Sequence, residues 1–433
     1  MEEVQTNNIN NEFEGLPEAK DEADAEATVK SDSSNGLELA QDEKSHSTSE
    51  RALKQENRTE PCWENLPDMM YSRIKFVSAT HGNQLYVFGG TICRKEQKQK
   101  VGRKSNKVEM FDPQTNTWTE LPNMPHAKSN CSCALVGDNI YVIGGEIKDE
   151  KRASYDSEAY NIKTKTWSTL PPMNHARASH SSVAIGDLIY VFGGYRGKGS
   201  TEVYDTVARE WNVRSRMNIH RYSFTSVVVN NKIYAIGGMK EFPSGMNRDT
   251  PQYHRYLETM EEYDIETNKW IFLVNEKMGN RRAGCSAVVV GSTIKVLGGY
   301  DEKETVSSIE SFDILQRKWS GCFIPPSKGP RKHFTTEVIG DSLVVIGGVD
   351  DSNLSLLNSV ERYSLPADPT INLSIPAINK LSNIDSNQVS PEFPLDKKRK
   401  HLDTGDPTII RQEVEVTKRK RHGTHNITQK FIN

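Results

Sequence analysis

The sequence predicts an all-β fold, a six-bladed β-propeller whose ring is closed by an N-terminal strand and which carries disordered tails. Three periodic features predict it. A Gly-Gly pair ends a four-residue apolar run six times, at Gly89-Gly90, Gly144-Gly145, Gly193-Gly194, Gly237-Gly238, Gly298-Gly299 and Gly347-Gly348. An aromatic residue stands seven positions before a tryptophan at Phe111/Trp118, Tyr160/Trp167, Tyr204/Trp211, Tyr263/Trp270 and Phe312/Trp319. A basic residue stands sixteen positions before each first glycine, at Arg73, Lys128, Arg177, Arg221, Arg282 and Arg331.

Each repeat is interpreted as four short strands, a to d. The basic residue precedes strand a, strand b ends in Gly-Gly, strand c carries the aromatic residue and strand d carries the tryptophan. One such sheet cannot bury both of its faces, whereas several sheets stacked radially can, and that arrangement is a propeller. The chain turns sharply after strand b, so we expect positive φ at the glycines. We expect the aromatic residues to pack one blade on the next, and the basic residues to have a structural role, such as an interblade hydrogen bond.

The ring closure is predicted from the two ends of the repeat region. The sixth repeat lacks a strand d, because Thr370 stands where a tryptophan is expected after Tyr363. The segment around Trp63 is a strand d with no strands a to c before it. We therefore expect Trp63 to complete the last blade, which leaves the ring without an open edge.

This pattern resembles the kelch repeat over about residues 61–366, in the style of the kelch-like family. Lys107–Trp118, Thr259–Trp270 and Ser359–Leu365 are similar to the strand c–d consensus of that family. The resemblance implies a protein-interaction module that binds a peptide or protein segment on one propeller face, in a substrate-recognition or adaptor role related to ubiquitin ligases. The alternative is an actin-associated role, since some kelch proteins bind actin. The region before Trp63 is too short and too polar for the BTB and BACK domains of that family, so we do not expect them or their link to cullin ligases.

The two ends of the sequence differ from the middle in composition. Residues 1–60 are acidic, with 16 acidic and 6 basic side chains, and are predicted to form a disordered tail. Residues 61–366 form the predicted propeller. Residues 367–433 are predicted to be a disordered tail with two basic clusters, Lys397-Lys398-Arg399-Lys400 and Lys418-Arg419-Lys420-Arg421. Such clusters suit nuclear import receptors, so we expect a cytoplasmic or nuclear protein, and we do not expect nucleic-acid binding as its main role.

Kelch-like propellers bind peptides at the face where the d–a and b–c connections meet, so the resemblance points to two sets of positions there. The residues after each Gly-Gly are Thr91, Glu146, Tyr195, Met239, Tyr300 and Val349. The residues two places after each basic residue are Lys75, Asn130, Ser179, Ser223, Gly284 and His333. Strand alternation places Arg177 and Ser179 on the same side. We predict Tyr195, Arg196 and Tyr300 as partner-binding anchors, because Tyr and Arg dominate interaction hot spots, with Ser179, Ser223, Asn130, His333 and Lys75 beside them.

The remaining features favour a non-catalytic protein. The Gly193–Gly199 segment lacks the glycine spacing of a P-loop, and no zinc-type or hydrolase motif occurs. His126, His175, His180 and His220 fall near interblade loops and are interpreted as solvent-facing. We therefore expect no catalytic residue, metal or cofactor. The six cysteines are interpreted as reduced thiols, and no apolar run is long enough to cross a membrane. The basic loop Arg94–Lys107 is interpreted as solvated, and Tyr253–Tyr256 is expected near the binding face.

Overall fold

The structure is a computed structural model that describes residues 62–93, 102–147, 152–241, 255–350 and 355–365. These residues form β-strands joined by turns, and no helix occurs among them. The first strands are β1 (Trp63–Leu66), β2 (Ser72–Ile74), β3 (Val77–His81), β4 (Gln84–Phe88), β5 (Thr91–Cys93), β6 (Arg103–Lys104), β7 (Val108–Asp112), β8 (Thr117–Leu121), β9 (Lys128–Ser129), β10 (Ser132–Val136), β11 (Asn139–Ile143), β12 (Glu146–Ile147), β13 (Ser157–Asn161), β14 (Thr166–Thr169), β15 (Ser181–Ile185) and β16 (Leu188–Phe192).

The second half of the repeat region continues in the same way. Its strands are β17 (Thr201–Asp205), β18 (Glu210–Arg214), β19 (Arg221–Tyr222), β20 (Thr225–Val229), β21 (Lys232–Ile236), β22 (Met239–Lys240), β23 (Met260–Asp264), β24 (Lys269–Leu273), β25 (Ser286–Val290), β26 (Thr293–Leu297), β27 (Ile309–Asp313), β28 (Lys318–Gly321), β29 (Thr335–Ile339), β30 (Ser342–Asp350) and β31 (Ser355–Ser364).

Six four-stranded antiparallel sheets, the blades, are built from the described strands. Blades one to five have the strand orders β3-β4-β7-β8, β10-β11-β13-β14, β15-β16-β17-β18, β20-β21-β23-β24 and β25-β26-β27-β28, and blade six is β29-β30-β31-β1. The innermost strands of successive blades contact one another, and β29 of blade six contacts β3 of blade one. The predicted all-β, six-bladed propeller is confirmed.

The aromatic residue and the tryptophan of each repeat lie directly opposite each other on strands c and d. In blade two, Tyr160 pairs with Trp167 and their ring centroids are 5.1 Å apart. Trp167 also packs edge-on against Phe88 of blade one, with a centroid separation of 5.9 Å. Its indole N–H donates to the carbonyl of Pro122 at 3.0 Å, in the connection that leaves blade one. The tryptophans thus join neighbouring blades, as the sequence predicted.

Strand β1 occupies the position of strand d in blade six. It pairs with β31 in a register that runs from Trp63 opposite Tyr363 to Leu66 opposite Val360. The indole N–H of Trp63 donates to the carbonyl of Pro325 at 2.8 Å. The same kind of bond, to a proline carbonyl in the connection from the preceding blade, is made by Trp118, Trp167 and Trp211. The N-terminal strand therefore completes the last blade.

Short extra pairings form a collar at one face of the propeller, where the b–c and d–a connections meet. This b–c face carries the small sheets β2-β5-β6, β9-β12 and β19-β22. Blades three, five and six have single bridges at the same place, Ala178 with Tyr195, Ala283 with Tyr300 and Lys332 with Val349. The collar positions the residue after each Gly-Gly beside the residue after each basic residue.

Candidate functional site

The six basic residues that recur at a fixed spacing are all buried and ion-paired. Arg177 Nη2 lies 2.6 Å from Glu202 Oε1, and its Nη1 donates to the carbonyl of Gly193 at 3.0 Å. The corresponding pairs are Arg73–Glu109, Lys128–Glu158, Arg221–Glu261, Arg282–Glu310 and Arg331–Glu361. The arginine side chains thus bond within their own blades, whereas the interblade hydrogen bond is made by the backbone, as from Gly145 N–H to the Arg177 carbonyl at 2.9 Å.

The glutamates of strand c also hold the connection that arrives from the preceding blade. Glu202 accepts hydrogen bonds from the backbone N–H groups of Asn174 at 2.7 Å and His175 at 3.1 Å. Desolvation raises the pKa of Glu202, but Arg177 and these donors outweigh it, so that the pKa lies below its usual value. These glutamates were not predicted from the sequence. Their signal is a glutamate two positions before every strand-c aromatic residue, at Glu109, Glu158, Glu202, Glu261, Glu310 and Glu361.

A closed circle of six backbone hydrogen bonds surrounds the propeller axis on the b–c face. Its members stand two residues after the basic residues, and each donates its N–H to the carbonyl of its counterpart one blade earlier, at 2.7 to 3.1 Å; they are Lys75, Asn130, Ser179, Ser223, Gly284 and His333. All six have φ between 52° and 57°, a region that L-residues seldom adopt. The fold therefore imposes this conformation on non-glycine residues by joining each blade to the next at the axis.

The circle surrounds the mouth of an axial cavity of about 100 Å³. Below the rim, the cavity is lined by the residues that follow the circle members, which are Phe76, Cys131, His180, Phe224, Cys285 and Phe334. The predicted binding residues Lys75, Asn130, Ser179, Ser223 and His333 all lie at this rim. The rim thus brings one residue from every blade to the axis.

Beside the axis, exposed aromatic and cationic side chains begin on blade three. Tyr195 is 42% exposed, and the guanidinium of Arg196 lies 5.8 Å from the centre of its ring. Tyr195 packs edge-on against Tyr222 at 6.4 Å between centroids. Arg255 lies over the Tyr222 ring and donates from Nε to its hydroxyl at 3.1 Å, which raises the pKa of Arg255.

The same run of side chains continues across blades four to six. Tyr256 packs edge-on against Tyr300 with centroids 5.6 Å apart, and burial raises the pKa of Tyr256. Tyr300 in turn contacts the His333 ring at 5.2 Å and lies beneath Lys332 Nζ at 4.9 Å. We call this continuous surface the tyrosine arc; its members are Tyr195, Arg196, Tyr222, Arg255, Tyr256, Tyr300, Lys332 and His333.

The predicted anchors Tyr195, Arg196 and Tyr300 all lie in the tyrosine arc, and His333 joins the arc to the axial rim. Of the other residues that follow Gly-Gly, Met239 and Val349 are buried. Tyr222 was missed. Its signal is its position directly after the basic residue, because that position pairs across the collar with the residue after Gly-Gly, as Tyr222 does with Met239.

Two interpretations from the sequence are wrong. His180 is 5% exposed, and its Nε2 lies 2.9 Å from Ser132 Oγ; burial, with Arg177 and Lys128 nearby, puts its pKa well below the usual value. It fills the slot that Phe76, Phe224 and Phe334 fill in other blades, so it is not solvent-facing. Ser179 does not share a side with Arg177, because positive φ ends the extended backbone there; Arg177 is buried while Ser179 lies at the rim.

Other expectations concern residues outside the described part of the chain. These are both tails with their basic clusters, and parts of the loops Arg94–Lys107 and Tyr253–Tyr256. None of the six cysteines, all of which lie in the described residues, is joined in a disulfide. Among the described residues, no group of three His, Cys, Asp or Glu side chains is placed to hold a metal ion, and no helix is long and apolar enough to span a bilayer.

Comparison with known proteins places the chain in a family. The model of the KLHDC2/KLHL20/DRC7 Kelch-repeats domain matches residues 54–238 and 130–348, which together are more than half of the chain. The chain belongs to this kelch-repeat family. The Kelch motif also matches residues 330–368 of this kelch propeller, and proteins with kelch repeats generally act as interaction modules.

Individual relatives match the kelch propeller over short segments. Kelch-like protein 15 of Danio rerio is 36% identical over 84 residues, which are 19% of this chain and 14% of that protein. The F-box/kelch-repeat protein At5g39560 of Arabidopsis thaliana is 38% identical over 69 residues, 16% of this chain and 15% of that protein. The solved structure of YjhT has the same fold, with a TM-score of 0.55 at 17% identity, over 68% of this chain and 96% of that one.

Proposed function

We propose that this kelch propeller is a non-catalytic module that binds an extended segment of a partner protein on its b–c face, along the tyrosine arc. The observation that carries the proposal is the continuity of the arc. Tyr195, Tyr222 and Arg255 contact one another in turn. Tyr256 follows Arg255 in the chain and begins a second series of contacts with Tyr300 and His333. Tyrosine and arginine supply large contact areas with few rotatable bonds, which is why they dominate protein-binding hot spots.

The asymmetry of the b–c face supports this placement. Blades three to five present Tyr195, Tyr222 and Tyr300 at the collar positions, whereas blades one and two present Thr91 and Glu146 there. A segment that lies across blades three to six therefore meets aromatic surface at each step. The Kelch-like and F-box/kelch-repeat relatives favour a substrate-recognition or adaptor role for such a segment-binding face.

The test compares the partners captured by the full chain and by a Tyr195→Ala/Tyr300→Ala variant, using quantitative mass spectrometry. We expect the specific partners to be reduced at least about tenfold, because two hot-spot residues each contribute about 1–2 kcal/mol or more to binding. A matched control is Tyr155→Ala/Leu315→Ala, which removes two side chains that are 50% and 81% exposed but lie outside the arc. Partners retained by the arc variant, with circular dichroism showing that it is folded, contradict the proposal.

Two further expectations from the sequence stay proposals. The first is import into the nucleus through the clusters Lys397–Lys400 and Lys418–Arg421. If it is correct, alanine substitution of both clusters shifts a fluorescent fusion of the protein toward the cytoplasm; an unchanged distribution contradicts it.

The second is binding to actin filaments, which is the alternative function. Failure of the protein to pellet with filaments excludes it.

A further inference from the structure

The connection that enters each blade is tied to the strand-c glutamate through a backbone N–H three residues before the buried basic residue. In blade one and blades three to six, the donors are Met70, Asn174, Asn218, Gly279 and Lys328. The corresponding residue of blade two is Pro125, which has no N–H to donate. Blade two therefore lacks the backbone bond that fixes the incoming connection in the other five blades.

The buried basic residue of blade two is also a weaker partner for its glutamate. Lys128 Nζ lies 3.5 Å from Glu158 Oε1, whereas Arg177 Nη2 in blade three lies 2.6 Å from Glu202 Oε1. Among the six strand-c glutamates, all in the described part of the chain, only Glu158 has a buried oxygen without a hydrogen-bond partner, Oε2. A buried acceptor that is left unsatisfied destabilises the folded state.

The imidazole of His126 makes the tie that the backbone makes elsewhere. Its Nδ1 lies 2.5 Å from Glu158 Oε1, and 48% of its side chain is exposed to solvent. Blade three has His175 at the equivalent position, with Nδ1 3.2 Å from Glu202 Oε1, but there the backbone N–H groups of Asn174 and His175 bond the same carboxylate. In blade two, one solvent-accessible side chain replaces this set of backbone donors.

We propose that residues 122–127, which we call the strap, form a releasable link between blades one and two, with His126 as the latch. The strap stays attached to blade one, because Met124 N–H donates to the Asn106 carbonyl at 2.9 Å. When the imidazole turns into solvent, Glu158 keeps only Lys128, and the strap separates from blade two.

This opening is confined to the b–c face. On strand d of blade two, Trp167 still donates to the carbonyl of Pro122 at 3.0 Å, which holds the start of the strap in place. The two positions of the strap give the blade-two side of the b–c face two arrangements. The tyrosine arc lies on blades three to six, so this device does not depend on segment binding there.

Hydrogen–deuterium exchange of the full chain, followed by mass spectrometry, tests the latch at matched amides of two blades. The N–H groups of Met124 and Lys128 bond to carbonyls of the blade-one b–c connection, and those of Met173 and Arg177 bond in the same way to the blade-two connection. We expect residues 124–128 to be protected roughly tenfold less than residues 173–177 in the wild type, because exchange reports local opening and the strap lacks a hydrogen bond to a charged group.

The two histidines provide a matched pair of variants. His126→Ala should lower the protection of residues 124–128 by a further factor of about ten, as expected for loss of a hydrogen bond to a carboxylate. His175→Ala should change the protection of residues 173–177 by less than about threefold, because Glu202 keeps its backbone donors and Arg177. Equal responses in the two blades, or equal protection of the two segments in the wild type, overturn the proposal.

A variant that restores the missing donors keeps the test decisive if His126→Ala does not fold. Pro125→Asn/Lys128→Arg gives blade two the asparagine and arginine that blades three and four carry at these positions. We expect the protection of residues 124–128 to rise roughly tenfold, and His126→Ala added to this background to have little effect. No gain in protection from the restoring variant also overturns the proposal.

Discussion

At the scale of single residues, the meaning of a recurring charge depends on a partner elsewhere in the repeat. The basic residue before strand a and the glutamate of strand c are far apart in sequence, and each is costly to bury alone. Brought together, as Arg177 and Glu202 are, they satisfy each other and the backbone of Gly193, Asn174 and His175. The pair holds three segments of chain at one point beneath the b–c face.

Removing the glutamate of such a pair should therefore destabilise the propeller strongly. We expect Glu202→Ala to lower the free energy of unfolding by about 3–5 kcal/mol, because it leaves Arg177 buried and unpaired. Because the folded pKa of Glu202 lies below its usual value of 4.5, its contribution is present above that value and is lost as the pH falls through the lowered pKa. Urea unfolding at neutral pH measures the change. Glu210→Ala, on the exposed edge strand of the same blade, is the control; a loss no larger than that of the control contradicts the prediction.

At the scale of elements, β1 joins the beginning of the repeat region to its end. Its four residues are the outermost strand of blade six, opposite β31, and Trp63 packs with Tyr363 at 5.4 Å between ring centroids. Trp63 belongs to the same apolar cluster as Val288 of blade five and Leu343 of blade six. A strand taken from the other end of the sequence thus completes the core between the fifth and sixth blades.

Loss of this strand should affect the whole propeller. We expect Trp63→Ala to lower the free energy of unfolding by about 3–5 kcal/mol, the usual range for removing a buried tryptophan side chain. Deletion of residues 61–68 should lower the melting temperature by more than Trp63→Ala does. Differential scanning calorimetry gives both values. A variant that lacks only residues 1–58 serves as the control and is expected to melt with the wild type. A deletion variant that also melts with the wild type would show that β1 is dispensable.

At the scale of the whole molecule, the six repeats are similar but the interfaces between blades are not. Six positions after the basic residue, five blades carry Ala79, Ala134, Val183, Val227 and Val288, whereas blade six carries Glu337. Glu337 lies where the last blade meets the first and accepts a hydrogen bond from Ser78 Oγ at 2.6 Å. Desolvation raises its pKa to about 7. Burial also raises the pKa of the nearby Cys133 thiol well above 9.0, so this thiol stays neutral beside Glu337.

The interface that closes the ring should consequently weaken as the pH rises. A carboxyl whose folded pKa is raised stabilises the folded state below its unfolded value of 4.5, and that contribution is lost as the pH rises through about 7,. As the pH rises from 5 to 8, we expect the free energy of unfolding of the Glu337→Gln variant to increase by roughly 1–2 kcal/mol relative to that of the wild type, after allowance for partial solvent screening. Melting curves of both proteins across this range test it. Parallel pH profiles would show that Glu337 does not titrate in this range.

The periodic pattern was enough to predict the blades, the positive φ of the glycine pairs and the closure by Trp63, because each follows from residues of one repeat or from a missing strand. With the resemblance to kelch-like propellers, it also predicted Tyr195, Arg196 and Tyr300 as anchors, because they follow Gly-Gly at the collar, and that assignment stays a prediction. Tyr222 was not predicted, since its contact with Tyr195 exists only after blades three and four pack together. His180 was misread because its burial depends on Ser132 of the neighbouring blade.

The sequence by itself determined the number of blades and the strand order within each, since short-range repetition encodes both, whereas the binding face was expected from the resemblance to kelch-like propellers. Only the tertiary structure decided what the repeats make together: the circle of hydrogen bonds around the axis, the cavity inside it and the continuous tyrosine arc. Each of these is assembled from residues of several blades, and their distances are set by the radial packing of the sheets rather than by any spacing along the chain.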